Sequence, residues 1–266
     1  MLMFGMISYL PDGEDRKRRW SVVKESLENY YAMARGKEFV LVITNWNEEK
    51  EWLNERGIGY VEIPIDSRGA AASRNIILDK FYESQADYLW LSDDDVYWDW
   101  NNPKVEGLIK ILNTTPERLI KKQLYIFNGY KHCYRSKKDD LLFEAVASLS
   151  GGLMVIANPC KYFGKKIFQR EDFQKQGYGG EDVMFEFEYT SAHNCRSFIC
   201  KDLYYRLLTT PSVFWDANSV GEQRRNTENH ISTFVFMRDG CMIDYNAWLR
   251  MPTYDQQKRI NLANCK

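Results

Sequence analysis

The sequence lacks any cysteine arrangement that would staple a fold or cage a metal: its six cysteines, at positions 133, 160, 195, 200, 241 and 265, form no CxxC pair and no regular framework. In a chain of 266 residues that pattern fits free thiols in a reducing compartment, so a cytoplasmic location is expected, the host's cytoplasm if the source is viral. An excess of either charge is also missing. Thirty-six Lys and Arg against 37 Asp and Glu leave a formal charge of -1, which excludes a whole-molecule field that would draw in nucleic acid or a membrane. No basic region precedes the apolar opening from Met1 to Leu10, and Pro11-Asp12-Gly13 ends it too soon for a signal peptide or a spanning helix. It reads as a buried first strand. Repeats, low-complexity tracts and linkers are absent as well, and one compact domain over 1–266 is expected.

What is present suits a large core. Hydrophobic residues make up 44% of the chain, enough to bury a substantial interior at this length. Aromatic residues reach 15%, with 8 Trp and 17 Tyr. Rings serve core packing first, but this many also fit a protein that stacks them on sugars, bases or a partner.

Apolar runs alternate with helical patterns in the first half. Strands are expected over 2–10, 38–45, 59–65 and 88–91, and helices over 16–35, 48–56 and 70–84. Such alternation indicates an α/β fold whose mixed sheet is mostly parallel and flanked by helices. The second half is less regular: 124–130, 153–157 and 197–205 read as strands, 181–191 as a helix, and 209–229 as a polar loop. The last forty residues read as a cap on the sheet or a tail.

Three segments carry candidate chemistry. The first is Asp93-Asp94-Asp95, directly after the apolar run from Tyr88 to Leu91. Adjacent carboxylates repel, so a bound cation and a solvated acidic turn are the two explanations. In extended backbone Asp93 and Asp95 would project to one side and share an ion while Asp94 points elsewhere; hard oxygens suit Mg2+ or Mn2+. The second is the small-residue run from Arg68 to Asn75, which opens a helix. Its free amides and its arginines, Arg68 and Arg74, fit a phosphate, and an alanine-rich helix start packed on the sheet fits equally. The third, from Gly177 to Asp182, places Gly179 and Gly180 before Glu181 and Asp182 in a first helical turn. One of these acids could act as general base toward a hydroxyl, or both could cap the helix.

Taken together, Ser73-Arg74-Asn75, the run from Tyr88 to Val96, the run from Ser150 to Met154, and Gly179-Gly180-Glu181-Asp182 resemble inverting glycosyltransferases of the GT-A fold. The resemblance is to the β-1,4-galactosyltransferase and chondroitin-synthase type, with family 2 enzymes as wider relatives, in a soluble bacterial or phage version without a membrane anchor or paired cysteines. It covers about 60–190, and the order of the motifs is more specific than any one of them. It implies a Rossmann-like nucleotide-sugar-binding half over about 1–125 and an acceptor half over about 126–266. It also implies metal and donor contacts at Asp93 and Asp95 within the D-x-D signature and a donor contact at Arg74; Arg68 and Asp94 are further donor-binding candidates. Gly151 and Gly152 would line the sugar pocket, Gly179, Gly180 and Glu181 would bind the acceptor, and Asp182 would act as base. A later histidine often adds a metal ligand in this fold; His230 is the first candidate and His193 the second.

The expected activity is therefore transfer of a sugar from a nucleoside diphosphate donor, a uridine one by family default, with Mn2+ or Mg2+. Two acceptors stay open. A saccharide follows from the resemblance, while a hydroxymethylated DNA base, as in phage genome modification, is raised by the basic clusters at 16–19, 131–138, 161–170 and 224–225, two of which interleave with rings. A nucleotidyltransferase would release pyrophosphate instead, and a noncatalytic sugar-binding module would bind without turnover.

Overall fold

The computed structural model describes residues 1–65, 69–99, 125–131, 143–146, 153–162, 164–172, 180–193, 196–208, 235–238 and 241–244. The loop expected over 209–229 lies outside them. In order come β1 (Leu2–Tyr9), α1 (Asp15–Met33), β2 (Glu38–Thr44), α2 (Glu49–Glu55), β3 (Val61–Ile63), α3 (Ala70–Glu83) and β4 (Tyr88–Ser92). After these follow β5 (Val96–Trp98), β6 (Tyr125–Lys131), β7 (Phe143–Val146), β8 (Met154–Ala157), α4 (Glu181–Ala192) and β9 (Arg196–Leu207). The strands β10 (Val235–Arg238) and β11 (Cys241–Asp244) pair as a separate antiparallel ribbon.

The expected mixed α/β sheet is present, with strand order β3-β2-β1-β4-β8-β6-β9-β5 and β7 also on β9. Its first four strands are parallel throughout. Antiparallel pairing enters where β8 joins β4 and β6, and β9 runs parallel to β6 but antiparallel to β5 and β7.

Side-chain alternation sorts the core into two layers. Along β1, Leu2, Phe4 and Met6 face the layer under α1 with Val23, Leu27, Tyr30 and Trp90, whereas Met3 faces the layer under α3 and α4 with Ile77, Phe81, Phe185 and Tyr189. Both faces of β4 and β8 are buried, as their near-continuous apolar runs require. Gly5 lies on the α3 side, where a Cβ would stand 2.4 Å from Ile77 Cγ2. Because a β-branched residue in a helix has little χ1 freedom, Gly5→Ala should displace α3 or force Ile77 out of its rotamer. A destabilisation of about 1–3 kcal/mol is expected, read as a lower urea midpoint; an unchanged midpoint would show that Ile77 yields freely.

Three polar residues in α1 are buried for a reason. Ser26 Oγ donates to Val96 O at 2.6 Å, and the Asn29 amide both donates to Trp98 O at 3.0 Å and accepts from Trp98 N at 2.8 Å. Those side chains act as a surrogate neighbouring strand for β5, covering the edge that β9 leaves open. Seven residues before Ser26, Arg19 continues the same line to the residues just ahead of β5.

Candidate active site

The carboxyl ends of β1 and β4 meet at the acidic triplet, the position where open parallel sheets gather ligands. The strand ends at Ser92, and Asp94 and Asp95 form a turn into β5. The extended backbone expected through the triplet is thus replaced by a reversal, because β5 must turn away to pair with β9. Its carboxylates divide between two helices. Asp93 accepts a hydrogen bond from Arg74 Nη2 of α3 at 2.8 Å, while Asp94 and Asp95 face Arg19 of α1.

Asp94 is the buried member. It pairs with Arg19 Nη2, accepts from Ser8 Oγ at 2.6 Å and accepts from the Tyr9 backbone N–H at 3.2 Å. That set of partners pins the triplet to the end of β1 and turns the Asp94 carboxylate inward. Burial lifts its carboxyl above the ordinary range, with Arg19 and Ser8 opposing. The Asp95 side chain is 35% exposed and meets Arg19 Nη1 only at 3.4 Å. Burial, then Asp94 and Asp93, push its carboxyl up to about 6.

The third sequence segment arrives from α4. Gly180 has φ +86°, a left-handed conformation that suits glycine, and its carbonyl accepts the Met184 N–H at 2.9 Å to begin the helix. Glu181 Oε1 receives Arg74 Nη1 at 3.0 Å, and the same nitrogen donates to Gln169 Oε1 at 3.2 Å. The Asp182 Oδ1 accepts the Val183 N–H at 2.8 Å. Burial raises both carboxyls; the adjacent Asp182 adds to the effect on Glu181, and Arg74 opposes it in each. Burial also works against the charge of Arg74, but Asp93, Glu181 and Asp182 outweigh it and hold its proton more firmly than usual.

Segments 93–95 and 181–182, separate in sequence, therefore form one network. Five carboxylates surround two guanidiniums, those of Arg19 and Arg74. The unbalanced negative charge, the hard oxygens and the exposed edges of Asp93 and Asp95 fit a divalent cation that completes its sphere with phosphate oxygens and water. Among the described residues no group of three His, Cys, Asp or Glu side chains forms a ready-made cage. The reading of Asp94 as a donor contact gains nothing from its inward orientation.

His193 occupies a different place. Its Nδ1 meets Tyr189 O at 2.8 Å and its Nε2 meets Lys165 O at 3.0 Å, so both ring nitrogens face carbonyls and it serves as a brace between α4 and the segment at 164–165. Arg68, Gly151, Gly152, Gly179 and His230 lie outside the described residues.

Sequence reading missed Arg19, Asn75 and Gln169. Arg19 falls in the basic cluster at 16–19, yet it shares the i, i+4, i+8 stripe of Val23 and Leu27, the signal that it points inward. Asn75 bridges to the backbone of Gln169 and to Glu171; it belongs to the Ser73-Arg74-Asn75 motif, which by itself assigns it no role.

No protein-family model matches the sequence, and no curated protein sequence matches it. Solved structures do match. TarS of S. aureus aligns over 88% of this chain and 44% of its own, at 13% identity and a TM-score of 0.51. GalNAc-T7 with UDP, GalNAc and Mn2+ aligns over 85% and 47%, at 11% identity and 0.49. The mannosyltransferase PcManGT from Pyrobaculum calidifontis, in complex with GDP-Man and Mn2+, aligns over 80% and 58%, at 14% identity and 0.47. The chain spans less than two thirds of each of these. Among the described residues no helix is long and apolar enough to cross a membrane. With its strand order and flanking helices, the likeness to TarS gives this chain a GT-A-like mixed α/β fold.

Proposed function

We propose that the chain transfers a sugar from a nucleoside diphosphate sugar, a uridine one, to an acceptor hydroxyl with inversion, using Mn2+ or Mg2+. The observation that carries this reading is the joining of the triplet to Glu181 and Asp182 through Arg74, which brings cation-binding and proton-accepting groups into one cluster. A nucleotidyltransferase would leave the Glu181-Asp182 end of the cluster without a task.

Asp93 and Asp95 hold the cation, and Asp94 with Arg19 fixes the turn that presents them. When bound, the cation stabilises the charge that develops on the departing diphosphate. Asp182, its carboxylate oriented by the Val183 N–H, takes the proton of the acceptor hydroxyl. As that oxygen bonds to the anomeric carbon, the bond from this carbon to the diphosphate oxygen breaks, and the nucleoside diphosphate carries the electron pair away. Glu181 and Gly180 orient the acceptor. Gly151 and Gly152 on the donor, Gly179 on the acceptor and His230 on the cation are assigned by resemblance alone, and Arg68 on the donor by its charge at the helix start.

For the acceptor, a saccharide is favoured over a modified DNA base. Arg16 is engaged by Glu49, Arg19 by Asp94, Lys161 by Asp87, Lys166 by Asp79 and Glu83, and Arg170 by Asp172 and Glu188. Among the described residues of the clusters at 16–19 and 161–170, cations spent on internal pairs leave less to grip a phosphate backbone; 132–138 and 224–225 lie outside the described residues. Acceptor binding should therefore persist as salt rises, where a DNA acceptor would lose affinity steeply.

A nucleotide-sugar screen by thermal unfolding tests the donor side. A donor at about 100 times its dissociation constant stabilises by about 2.7 kcal/mol, so the melting temperature should rise with one sugar nucleotide plus Mn2+ and fall back with chelator. No response to any nucleotide sugar with Mn2+ would overturn the proposal.

A further inference from the structure

We infer that Arg74 is a positioning residue that couples the two sides of the site, so that cation binding at Asp93 and the placement of Glu181 at the acceptor end depend on each other. This rests on the transferase reading above and changes one part of it: the arginine next to the small-residue run serves the network instead of gripping the donor diphosphate.

The geometry supports this role. The Arg74 side chain is 5% exposed, and both terminal nitrogens are engaged: Nη2 with Asp93 at 2.8 Å, Nη1 with Glu181 at 3.0 Å and with Gln169 at 3.2 Å. One positive charge is thus shared by two carboxylates from different elements, the end of β4 and the start of α4. In a buried setting such a pair is little screened. A cation on Asp93 competes with Arg74 for that carboxylate, and the share released falls to Glu181. Conversely, Glu181 draws the guanidinium away from Asp93 and leaves it freer for the cation. Thermodynamic reciprocity makes these two effects equal in size.

The neighbouring residue makes the joint stiff. Asn75 donates to Gln169 O at 3.0 Å and to Glu171 Oε1 at 3.0 Å, and accepts from Gln169 N at 2.7 Å. The start of α3 is therefore fastened to the segment that supplies Gln169, and Arg74 is held against the two carboxylates it links.

The test is a Mn2+ titration of the full chain, with free Mn2+ read by electron paramagnetic resonance, in four proteins: wild type, Glu181→Gln, Arg74→Lys and the double variant. Lysine keeps the charge but presents a point ammonium that does not span both carboxylates. Glu181→Gln should weaken Mn2+ binding about fivefold or more in the wild-type background, and less than about twofold in the Arg74→Lys background, since coupling through a shared partner disappears from a double-mutant cycle when that partner is replaced. Thermal unfolding confirms that each variant is folded. An equal change in both backgrounds, or none in either, overturns the inference while Mn2+ binding by the wild type keeps the transferase reading intact. Absence of Mn2+ binding by the wild type overturns both.

Discussion

Asp182→Asn is expected to lower turnover by about 10²–10⁴-fold, the range a positioned general base contributes, while leaving the fold and donor binding in place. The substitution isolates proton acceptance. An asparagine Oδ1 accepts the Val183 N–H as the aspartate does, so the first turn of α4 keeps its geometry, but an amide does not take the proton of an acceptor hydroxyl. Removing one negative charge beside Glu181 also relieves its carboxyl, which Asp182 now pushes up, so the variant should melt no lower than the wild type. A fall in kcat with a melting temperature no lower than that of the wild type is the expected pattern. Near-normal turnover would remove Asp182 from the chemistry.

The second large effect is on stability. Arg19→Met should destabilise the protein by about 3–5 kcal/mol, because deleting one partner of a buried pair leaves the other charge uncompensated. Asp94 is 4% exposed and Arg19 7%, so solvent does little to replace the lost cation. The lesion is specific: adding Asp94→Asn removes the stranded charge, and the amide oxygen still accepts from Ser8 and Tyr9. The double variant should recover part of the loss in a urea titration. If Arg19→Met alone leaves the midpoint where it was, the pair does not anchor the triplet.

The first ninety residues were largely legible because β1, β2 and β4 are buried on both faces and α1 and α3 each bury one stripe, so period and length declared the element. Expected boundaries for β1 through β4 and for α1 through α3 differ from those observed by only a few residues. Just beyond them, β5 spans only Val96 to Trp98 and depends on Ser26, Asn29 and β9 for its hydrogen bonds, partners no local pattern reveals. Strand β7 and the β10–β11 ribbon escaped for the same reason: four residues each, defined by distant pairing.

The site divides similarly. The types of its acids and their order along the chain were readable, and they pointed to one cluster. Their orientations were not. Asp93 and Asp95 turn toward different helices, Asp94 turns inward to Ser8, and Arg74 lies buried between two acids, one 107 residues from it in sequence and the other 19. Those facts follow from the turn after Ser92 and from how α1, α3 and the start of α4 meet at the strand ends, both consequences of tertiary packing.

The central claim, sugar transfer from a nucleoside diphosphate donor on a cation held by Asp93 and Asp95, is tested most directly by assaying the nucleotide released from a panel of nucleotide sugars with saccharide acceptors. Wild-type protein and Asp93→Asn/Asp95→Asn would be compared, with Mn2+ and with chelator. The account predicts nucleoside diphosphate release, matched one for one by glycosylated acceptor, only for the wild type with metal. Release that survives chelation and the double substitution, or pyrophosphate formed from a nucleoside triphosphate in its place, would contradict it.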